Sequence, residues 1–289
     1  KKLRISLNSI CNFACTYCVS DKEVNSPRRA HTGKSLSARE FATLVFKLNS
    51  ILQLEEVRLT GGEPTLYPEL IELIRLLKEI GIPKIALTTN GYLLTKIVEN
   101  LKEVGLDSMN ISLDAMDSGV FAMMSRGRKL EKTIDGINAT KKNQIPFKIN
   151  STIVRGSNDK EILPLLEFSG KLGVTIRYLE LMKMGYLSGK TPKEIFPEEE
   201  ILNVISSKYS FQELRRIKSS TAKYWITKEG FEFGIRNGFV RKIAFSLAAS
   251  VAGCAAEQFF SQLEFLIRRQ IAQRFQRVGQ GSGFGFRFA

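Results

Sequence analysis

Three cysteines lie close together near the start of the chain, at Cys11, Cys15 and Cys18. Their C-x3-C-x2-C spacing supplies three thiolates, whereas a closed structural zinc or iron–sulfur site normally takes four protein ligands. On a four-iron cluster, three thiolates leave one iron open for another molecule. An open coordination position distinguishes a catalytic metal site from a structural one, so this segment predicts metal-dependent catalysis.

These cysteines have two alternative uses, a zinc site and a disulfide framework. A zinc site that adds His31 fits the ligand types. A disulfide framework is disfavoured, because disulfide-rich secreted domains are short, and this chain of 289 residues has one further cysteine, Cys254. The residues before Cys11 do not resemble a signal peptide. We therefore expect a reducing, cytoplasmic compartment, where thiolates remain free to bind metal.

The composition predicts a folded protein with phosphate-bearing partners. The chain is 43% hydrophobic, which is enough for a large core, and its net charge is +14. A basic excess favours nucleotides, nucleic acid or an anionic surface, without choosing among them. The longest uncharged apolar run, 243–256, is too short to span a bilayer as a helix, so no membrane partner is expected.

Strand and helix patterns alternate from residue 1 to about residue 180. The strand candidates are Leu3–Leu7, Glu56–Leu59, Lys84–Leu87, Met109–Leu113, Phe147–Val154 and Val174–Leu181. The helix candidates are Ala38–Leu52, Glu69–Ile80, Leu94–Val104, Leu130–Lys142 and Lys160–Leu172. This rhythm predicts parallel strands with helices outside. It fits an incomplete (βα)6 barrel and a doubly wound sheet equally well.

Polar motifs follow the predicted strands at the point where each strand ends. The cysteines follow the first strand, Thr60–Pro64 the second and Thr88–Gly91 the third, and Ser112 ends the fourth. In parallel α/β architectures the active site gathers at the carboxyl ends of the strands. We therefore expect the functional residues at the carboxyl ends of the strands, which we call the rim.

Taken together, these segments resemble the GTP 3′,8-cyclases of molybdenum cofactor biosynthesis, within the radical S-adenosylmethionine (SAM) superfamily. The matching segments are 3–6, 11–18, 57–66, 87–91, 111–115, 148–150, 155–159 and 180–182, with weaker echoes at 220–224 and 233–235. The resemblance implies an incomplete (βα)6 TIM-like barrel of the radical SAM type over 1–206. It further implies a remnant of the family's C-terminal domain over 207–235, followed by an atypical extension, a divergent basic and apolar tail over 236–289.

The resemblance also implies cofactors, a substrate and site residues. The three cysteines would hold one 4Fe–4S cluster, which cleaves SAM to a 5′-deoxyadenosyl radical that acts on GTP, with an electron donor protein as partner. The implied SAM contacts are Tyr17, Gly62, Glu63, Ser112 and Met182. The implied GTP contacts are Arg4, Arg58, Thr88 and Lys148, and three of these are the cations that a triphosphate requires.

The resemblance ends at about residue 235, and this leaves alternatives open. The family carries a second cluster and a Gly-Gly-Arg tail near its C-terminus, and 236–289 contains neither motif. The departure indicates a natural variant or a frameshifted gene, and it predicts SAM cleavage with impaired GTP cyclisation. The alternatives are a radical SAM enzyme acting on a peptide or a nucleic acid base, and a non-catalytic remnant that binds a cluster or a nucleotide. A nucleic acid partner is not the expectation, and an oligomer is compatible with the sequence.

Overall fold

The computed structural model of the protein describes residues 1–20, 36–181, 192–215 and 222–236, and the backbone of 245–248. All of these residues belong to one compact unit, Lys1–Ala249. The expectations that concern His31, Met182 and Cys254 lie outside the described residues.

The described residues form one ten-stranded sheet, in the order β10-β1-β2-β3-β4-β5-β6-β9-β8-β7. Its strands are β1 (Lys2–Ser6), β2 (Glu56–Thr60), β3 (Ile85–Thr89), β4 (Ser108–Ser112), β5 (Phe147–Ile153), β6 (Ile176–Glu180), β7 (Phe211–Glu213), β8 (Lys223–Thr227), β9 (Glu232–Arg236) and β10 (Phe245–Ala248). The six predicted strands are confirmed to within two residues at each end. The last four strands were not predicted.

The helices of the described part of the chain are α1 (Ala38–Leu52), α2 (Leu70–Glu79), α3 (Leu94–Glu103), α4 (Ser118–Ser125), α5 (Leu130–Lys142), α6 (Ile162–Leu172) and α7 (Glu198–Ser206). Five of them confirm the predicted helices, whereas α4 and α7 were not predicted. The start of α1 is fixed by a capping box, in which Ser37 and Glu40 each accept a backbone hydrogen bond from the other residue. In the part of the chain that the structure describes, no helix combines the length and the apolarity needed to cross a bilayer.

The strand order decides between the two architectures that the sequence left open. Strands β1 to β6 pair in sequential order and all run parallel. A doubly wound sheet would reverse its strand order at a switch point, and this sheet does not reverse across β1–β6. The two edge strands are β10 and β7, so the barrel is not closed. The predicted incomplete TIM-like barrel is therefore confirmed.

The charges on the inner face show that the sheet curls. Arg4 on β1 and Arg236 on β9 are six strand spacings apart along the sheet, which would be about 29 Å in a flat sheet. The pKa of Arg4 is lowered first by burial and next by the charge of Arg236. That interaction requires curvature, which brings the two arginines towards each other across the inside of the partial barrel.

Side-chain alternation along each strand separates a helix-covered face from this inner face. On β1, Leu3 and Ile5 are 2% and 0% exposed, whereas Arg4 between them is half-buried on the opposite face. The same alternation on β2 buries Val57 and leaves Arg58 on the inner face. The inner face of the barrel therefore carries charged side chains in place of an apolar core.

The later strands extend the same sheet. Strand β9 pairs in parallel with β6, and β8 and β7 follow it as antiparallel strands. Strand β10, within the predicted divergent tail, pairs in parallel with β1 from Leu3↔Phe245 to Ser6↔Ala248. The proposed domain boundaries at 206 and 235 remain predictions.

Candidate active site

The cysteine loop, residues 7–19, follows β1 at the carboxyl ends of the parallel strands and is held from two sides. On one side, the Thr16 backbone N–H donates to the carbonyl of Met124 near the end of α4, at 2.9 Å. On the other side, the Glu63 backbone N–H donates to the carbonyl of Ile10 at 2.7 Å. Main-chain hydrogen bonds therefore fix the loop between α4 and the turn after β2.

The three cysteine side chains differ in exposure. Cys18 is exposed, whereas Cys11 and Cys15 are half-buried. The pKa of the Cys15 thiol is raised, first by its hydrogen bond with Cys18 and next by burial. The sulfur of Cys11 accepts a hydrogen bond from the backbone N–H of Phe13 at 3.3 Å. All three thiols therefore lie on one short loop, with Cys15 and Cys18 in contact.

The three thiols provide a donor set that fits an iron–sulfur cluster. In an iron–sulfur cubane each thiolate binds a different iron, and three thiolates leave one iron open for another molecule. Among the described residues, no three Cys, His, Asp or Glu side chains converge closely enough to hold one ion. The zinc alternative includes His31, which lies outside the described residues.

Gly62 is required where the turn after β2 crosses the cysteine loop. A Cβ atom at this position would overlap the backbone carbonyl of Ile10. The Gly62 backbone N–H also donates to the carbonyl of Asn8 at 2.8 Å. Only glycine lets the two backbones lie this close, so the residue has a structural role at the cysteine loop. Its expected contact with SAM remains a prediction.

The carboxyl group of Glu63 connects the ends of β2 and β3 and is 1% exposed. One oxygen, Oε1, accepts hydrogen bonds from the backbone and the hydroxyl of Thr65 and from the hydroxyl of Thr89. The other oxygen, Oε2, accepts from the Asn90 backbone N–H at 2.8 Å. Burial raises the pKa of Glu63, and these hydrogen bonds oppose that effect. The carboxyl group therefore braces the rim beside the cysteines.

Tyr17 connects the cysteine loop to the ends of β4 and β5. Its hydroxyl donates to Oδ2 of Asp114 at 2.6 Å, and Oδ1 of Asp114 accepts from the Thr152 backbone N–H at 2.8 Å. The Asn158 side-chain amide donates to the backbone carbonyl of Asp114 at 2.7 Å. Tyr17 is thus anchored through its hydroxyl, and its expected place beside SAM or the cluster remains a prediction.

Replacing Asp114 with asparagine is expected to change the pH dependence of stability. The pKa of Asp114 rises from 3.8 to about 6, chiefly through burial and against the hydrogen bonds from Tyr17 and Thr152. A carboxyl group with a raised folded-state pKa stabilises the fold at low pH and loses that contribution as the pH rises through the folded pKa. Between pH 4 and pH 7, the free energy of unfolding of the wild type should therefore fall by about 2 kcal/mol relative to Asp114→Asn.

Urea unfolding of both proteins at pH 4 and pH 7 tests this expectation. Asparagine retains an oxygen for the Thr152 N–H, so the comparison isolates the ionisation of the carboxyl group. Parallel pH dependences in the two proteins would show that Asp114 does not titrate with a raised pKa.

Four arginines face the interior of the partial barrel, and we call them the arginine cluster: Arg4, Arg58, Arg177 and Arg236. The pKa of Arg4 is lowered first by burial and then by the charges of the other three arginines. Nearby on β5, the Lys148 ammonium lies 4.8 Å from the ring centroid of Tyr224. The structure therefore brings the three predicted cations, Arg4, Arg58 and Lys148, to the inner face together with two arginines that were not predicted.

Arg177 is the clearest functional candidate that sequence reasoning missed. Its Nε donates to Oδ1 of Asn150 at 2.9 Å, and its Nη2 donates to Oδ1 of Asn110 at 2.7 Å. Both acceptors are neutral, and burial lowers the pKa of the guanidinium. Neutral acceptors leave the positive charge of a buried cation uncompensated, so binding of an anion beside that cation is favourable. Alternation along the predicted strand 174–181 places residue 177 with the inner-face positions, and that signal could have identified it.

The remaining predicted contacts lie at the carboxyl ends of β3 and β4. The Thr88 hydroxyl accepts a hydrogen bond from the Asn110 side chain at 3.4 Å. Ser112 ends β4, half-buried, opposite Asn150 on β5. Met182 lies outside the described residues. The described SAM and GTP candidates therefore share the rim and the inner face of one partial barrel.

This chain is similar to one known protein family and to named members of a second, narrower family. The profile described as "Radical SAM superfamily" matches residues 5–169. A GTP 3′,8-cyclase of Synechocystis is 31% identical over 230 residues, which cover 80% of this chain and 69% of that protein. A GTP 3′,8-cyclase of Aquifex aeolicus is 36% identical over 239 residues, which cover 81% and 73%. The chain belongs to the radical SAM superfamily, in the GTP 3′,8-cyclase family.

A solved structure supports the fold of this chain. The crystal structure of Streptococcus suis SuiB bound to S-adenosylmethionine superposes with a TM-score of 0.54 and 19% sequence identity. The match covers 72% of this chain and 45% of that chain, so this chain spans less than half of the length of that structure. At this level of identity the likeness shows the fold alone. The superfamily implies a 4Fe–4S cluster and SAM, and the cysteine loop supplies the matching donor set.

Proposed function

We propose that this radical SAM protein binds one 4Fe–4S cluster through Cys11, Cys15 and Cys18, cleaves SAM, and acts on GTP. The observation that carries the proposal is the position of the cysteine loop, which lies at the rim of a partial barrel whose inner face holds the arginine cluster. Sequence identities of 31% and 36% with two proteins named GTP 3′,8-cyclase support GTP as the substrate. When bound, the cluster supplies the electron that splits SAM into methionine and a 5′-deoxyadenosyl radical.

On the SAM side, the chain provides orientation and hydrogen-bond acceptors. In this proposal SAM lies against Tyr17, Gly62, Glu63, Ser112 and Met182. Within the described residues, Oε2 of Glu63 accepts a single hydrogen bond, from Asn90, and a carboxylate oxygen can accept more than one. That oxygen can receive the ammonium group of SAM in a charge-assisted bond while it continues to brace the rim.

On the substrate side, the chain provides positive charge and shape. Arg4, Arg58, Thr88 and Lys148 would bind the triphosphate of GTP, and Arg177 joins them. Charge-assisted contacts on the phosphates hold the ribose near the SAM site, and such positioning is a large part of enzymatic rate enhancement. The inner face is partly buried, which strengthens these contacts and excludes water from a reactive radical.

Replacing Arg177 with methionine is expected to weaken GTP binding at least about tenfold, because a hydrogen bond to a charged group contributes about 1.5–3 kcal/mol. Removing this arginine leaves no carboxylate unpaired, since its acceptors Asn110 and Asn150 are neutral. Binding of SAM should be unchanged. The matched control is Arg75→Met, because Arg75 is an exposed arginine of α2 that pairs with Glu72. Isothermal titration with GTP and with SAM measures both affinities, and equal GTP binding by the Arg177 variant would assign that arginine a structural role.

The activity is tested by counting two products under anaerobic conditions with dithionite, SAM and GTP. Residues 1–289 contain one cysteine outside the loop, Cys254, whereas the family resemblance places a second cluster on three further cysteines. We therefore expect a protein of these 289 residues to form more 5′-deoxyadenosine than cyclised nucleotide. Cyclised nucleotide in equal amount would refute this uncoupling. 5′-Deoxyadenosine formation that does not respond to GTP would favour a peptide or nucleic acid base as substrate.

We place the enzyme in a reducing, cytoplasmic compartment, which would keep the three thiols free for iron. In this proposal an electron donor protein reduces the cluster in the cell. An oligomer is compatible with this arrangement, and size-exclusion chromatography with light scattering measures it directly.

A further inference from the structure

One carboxylate lies directly against the arginine cluster. Glu56 is the first residue of β2, precedes Arg58 by two positions on the same inner face, and is 4% exposed. Its Oε1 accepts a hydrogen bond from Nη2 of Arg58 at 2.7 Å. Its Oε2 pairs with the Lys2 ammonium at 2.9 Å. The carboxylate is therefore held on two sides by cations, at the end of the strands opposite the cysteine loop.

The guanidinium of Arg58 is only partly satisfied by this pair. Its Nη1 is buried and has no hydrogen-bond partner among the described residues. Buried polar atoms normally find a partner, and an unmatched donor on a cation is costly. Glu56 therefore fixes one end of the guanidinium and leaves the other end for an acceptor that the described chain does not supply.

Glu56 remains negatively charged in this environment. Burial acts to raise its pKa, but the hydrogen bond from Lys2 and the charge of Arg58 outweigh burial, so that the pKa is lowered. The same charge acts on the cluster, since Glu56 opposes the lowering of the pKa of Arg4 by its neighbouring arginines. In the free protein, Glu56 thus compensates part of the positive charge of the inner face.

We propose that Glu56 sets the strength with which the arginine cluster binds phosphate groups. It orients Arg58 through one nitrogen, and its negative charge opposes the bound anion. This inference rests on the proposed function, in which the cluster receives the phosphates of the substrate. The carboxylate lowers phosphate affinity, and in return it prevents the free protein from burying an uncompensated set of cations.

Replacing Glu56 with glutamine separates its role in orienting Arg58 from the effect of its negative charge. Glutamine keeps an oxygen for Nη2 of Arg58 and removes the charge. Inorganic tripolyphosphate is the probe, since it carries the phosphates without the nucleoside and requires neither cluster nor SAM. Isothermal titration should show that Glu56→Gln binds tripolyphosphate at least about tenfold more tightly than the wild type. Glu55→Gln is the matched control, because Glu55 is adjacent, its side chain is 78% exposed, and it pairs with the N-terminus. This control should bind as the wild type does.

The melting temperature provides a second measurement, which can be made with tripolyphosphate present even if Glu56→Gln is unstable without it. Because ligand binding to the folded state raises the melting temperature, tripolyphosphate should stabilise Glu56→Gln more than the wild type. If the variant unfolds during purification, refolding with tripolyphosphate should recover it, and failure of that recovery would overturn the proposal.

Equal or weaker binding by a folded Glu56→Gln protein would overturn the inference about Glu56 while leaving the phosphate site in place. If the wild type, the variant and the control all fail to bind tripolyphosphate, the arginine cluster is not a phosphate site. That result would contradict both this inference and the proposed binding of GTP. The proposed cleavage of SAM would be unaffected, because the formation of 5′-deoxyadenosine tests it separately.

Discussion

Replacement of Cys15 with alanine is expected to abolish SAM cleavage. Anaerobic reconstitution of the wild type should give about four irons per chain, as one cubane requires. A loop with two thiolates cannot hold that cluster, so the variant should retain less than one iron per chain. 5′-Deoxyadenosine should then fall below detection. The metal content of the wild type also identifies the metal, because zinc in place of iron would contradict an iron–sulfur cluster.

The matched control for this change is Cys254→Ala, because Cys254 is the one cysteine outside the loop. If a single cluster is bound by the loop, removing Cys254 should leave both the iron content and SAM cleavage unchanged. About eight irons in the wild type would contradict the single-cluster proposal. Full iron and normal cleavage in the Cys15 variant would show that this thiol is not a ligand.

The sequence predicted the repeating units of the fold because their signals are local. The helix α1 begins at a capping box that is visible in Ser37 and Glu40, and its predicted bounds are confirmed. Helix α4 was missed because its apolar residues do not follow one face, although its N-cap, Asp117, is a local signal as well. Strand β10 was missed because its pairing with β1 joins residues more than 200 positions apart, and no local pattern encodes that contact.

Site residues that belong to a sequence motif were predictable, whereas residues that come together only because the sheet curls were not. The cysteines and the Gly61-Gly62-Glu63 turn stand out by residue type and spacing. Arg177 and Glu56 do not, because a single arginine or glutamate in a strand has many uses. Alternation along the strand places Arg177 on the inner face, but its approach to Arg58 depends on how the sheet curls. The pKa of Arg177 reflects burial first, then Tyr224, and then the charge of Arg58 on β2.

The structure also added a role to residues that the sequence had identified. Glu63 was predicted as a contact for SAM, and in the structure its carboxyl group accepts four hydrogen bonds from Thr65, Thr89 and Asn90. Tyr17 was predicted beside SAM or the cluster, and its hydroxyl is bound to Asp114. Spacing indicates that these residues serve the site, but hydrogen-bond partners are set by tertiary contacts.

Replacement of Glu63 with alanine is expected to lower the free energy of unfolding by about 3–5 kcal/mol, because it removes a buried acceptor from four donors. Glu63→Gln should cost less, since its oxygen can still accept from Thr65 and Thr89 while its amide faces the Asn90 N–H. Chemical denaturation measures both changes. Glu99→Ala, at an exposed position of α3, is the control and should leave the stability nearly unchanged.

The same Glu63 variants distinguish bracing from SAM binding. The Glu63 backbone also binds the cysteine loop through Ile10, so a collapsed turn should lower iron content together with stability. If the carboxylate serves only the SAM ammonium, Glu63→Ala would keep the stability and iron content of the wild type and lose SAM affinity alone. The four buried hydrogen bonds favour a joint loss in the alanine variant. The glutamine variant should keep its iron and bind SAM more weakly, because it lacks the negative charge that a charge-assisted bond requires.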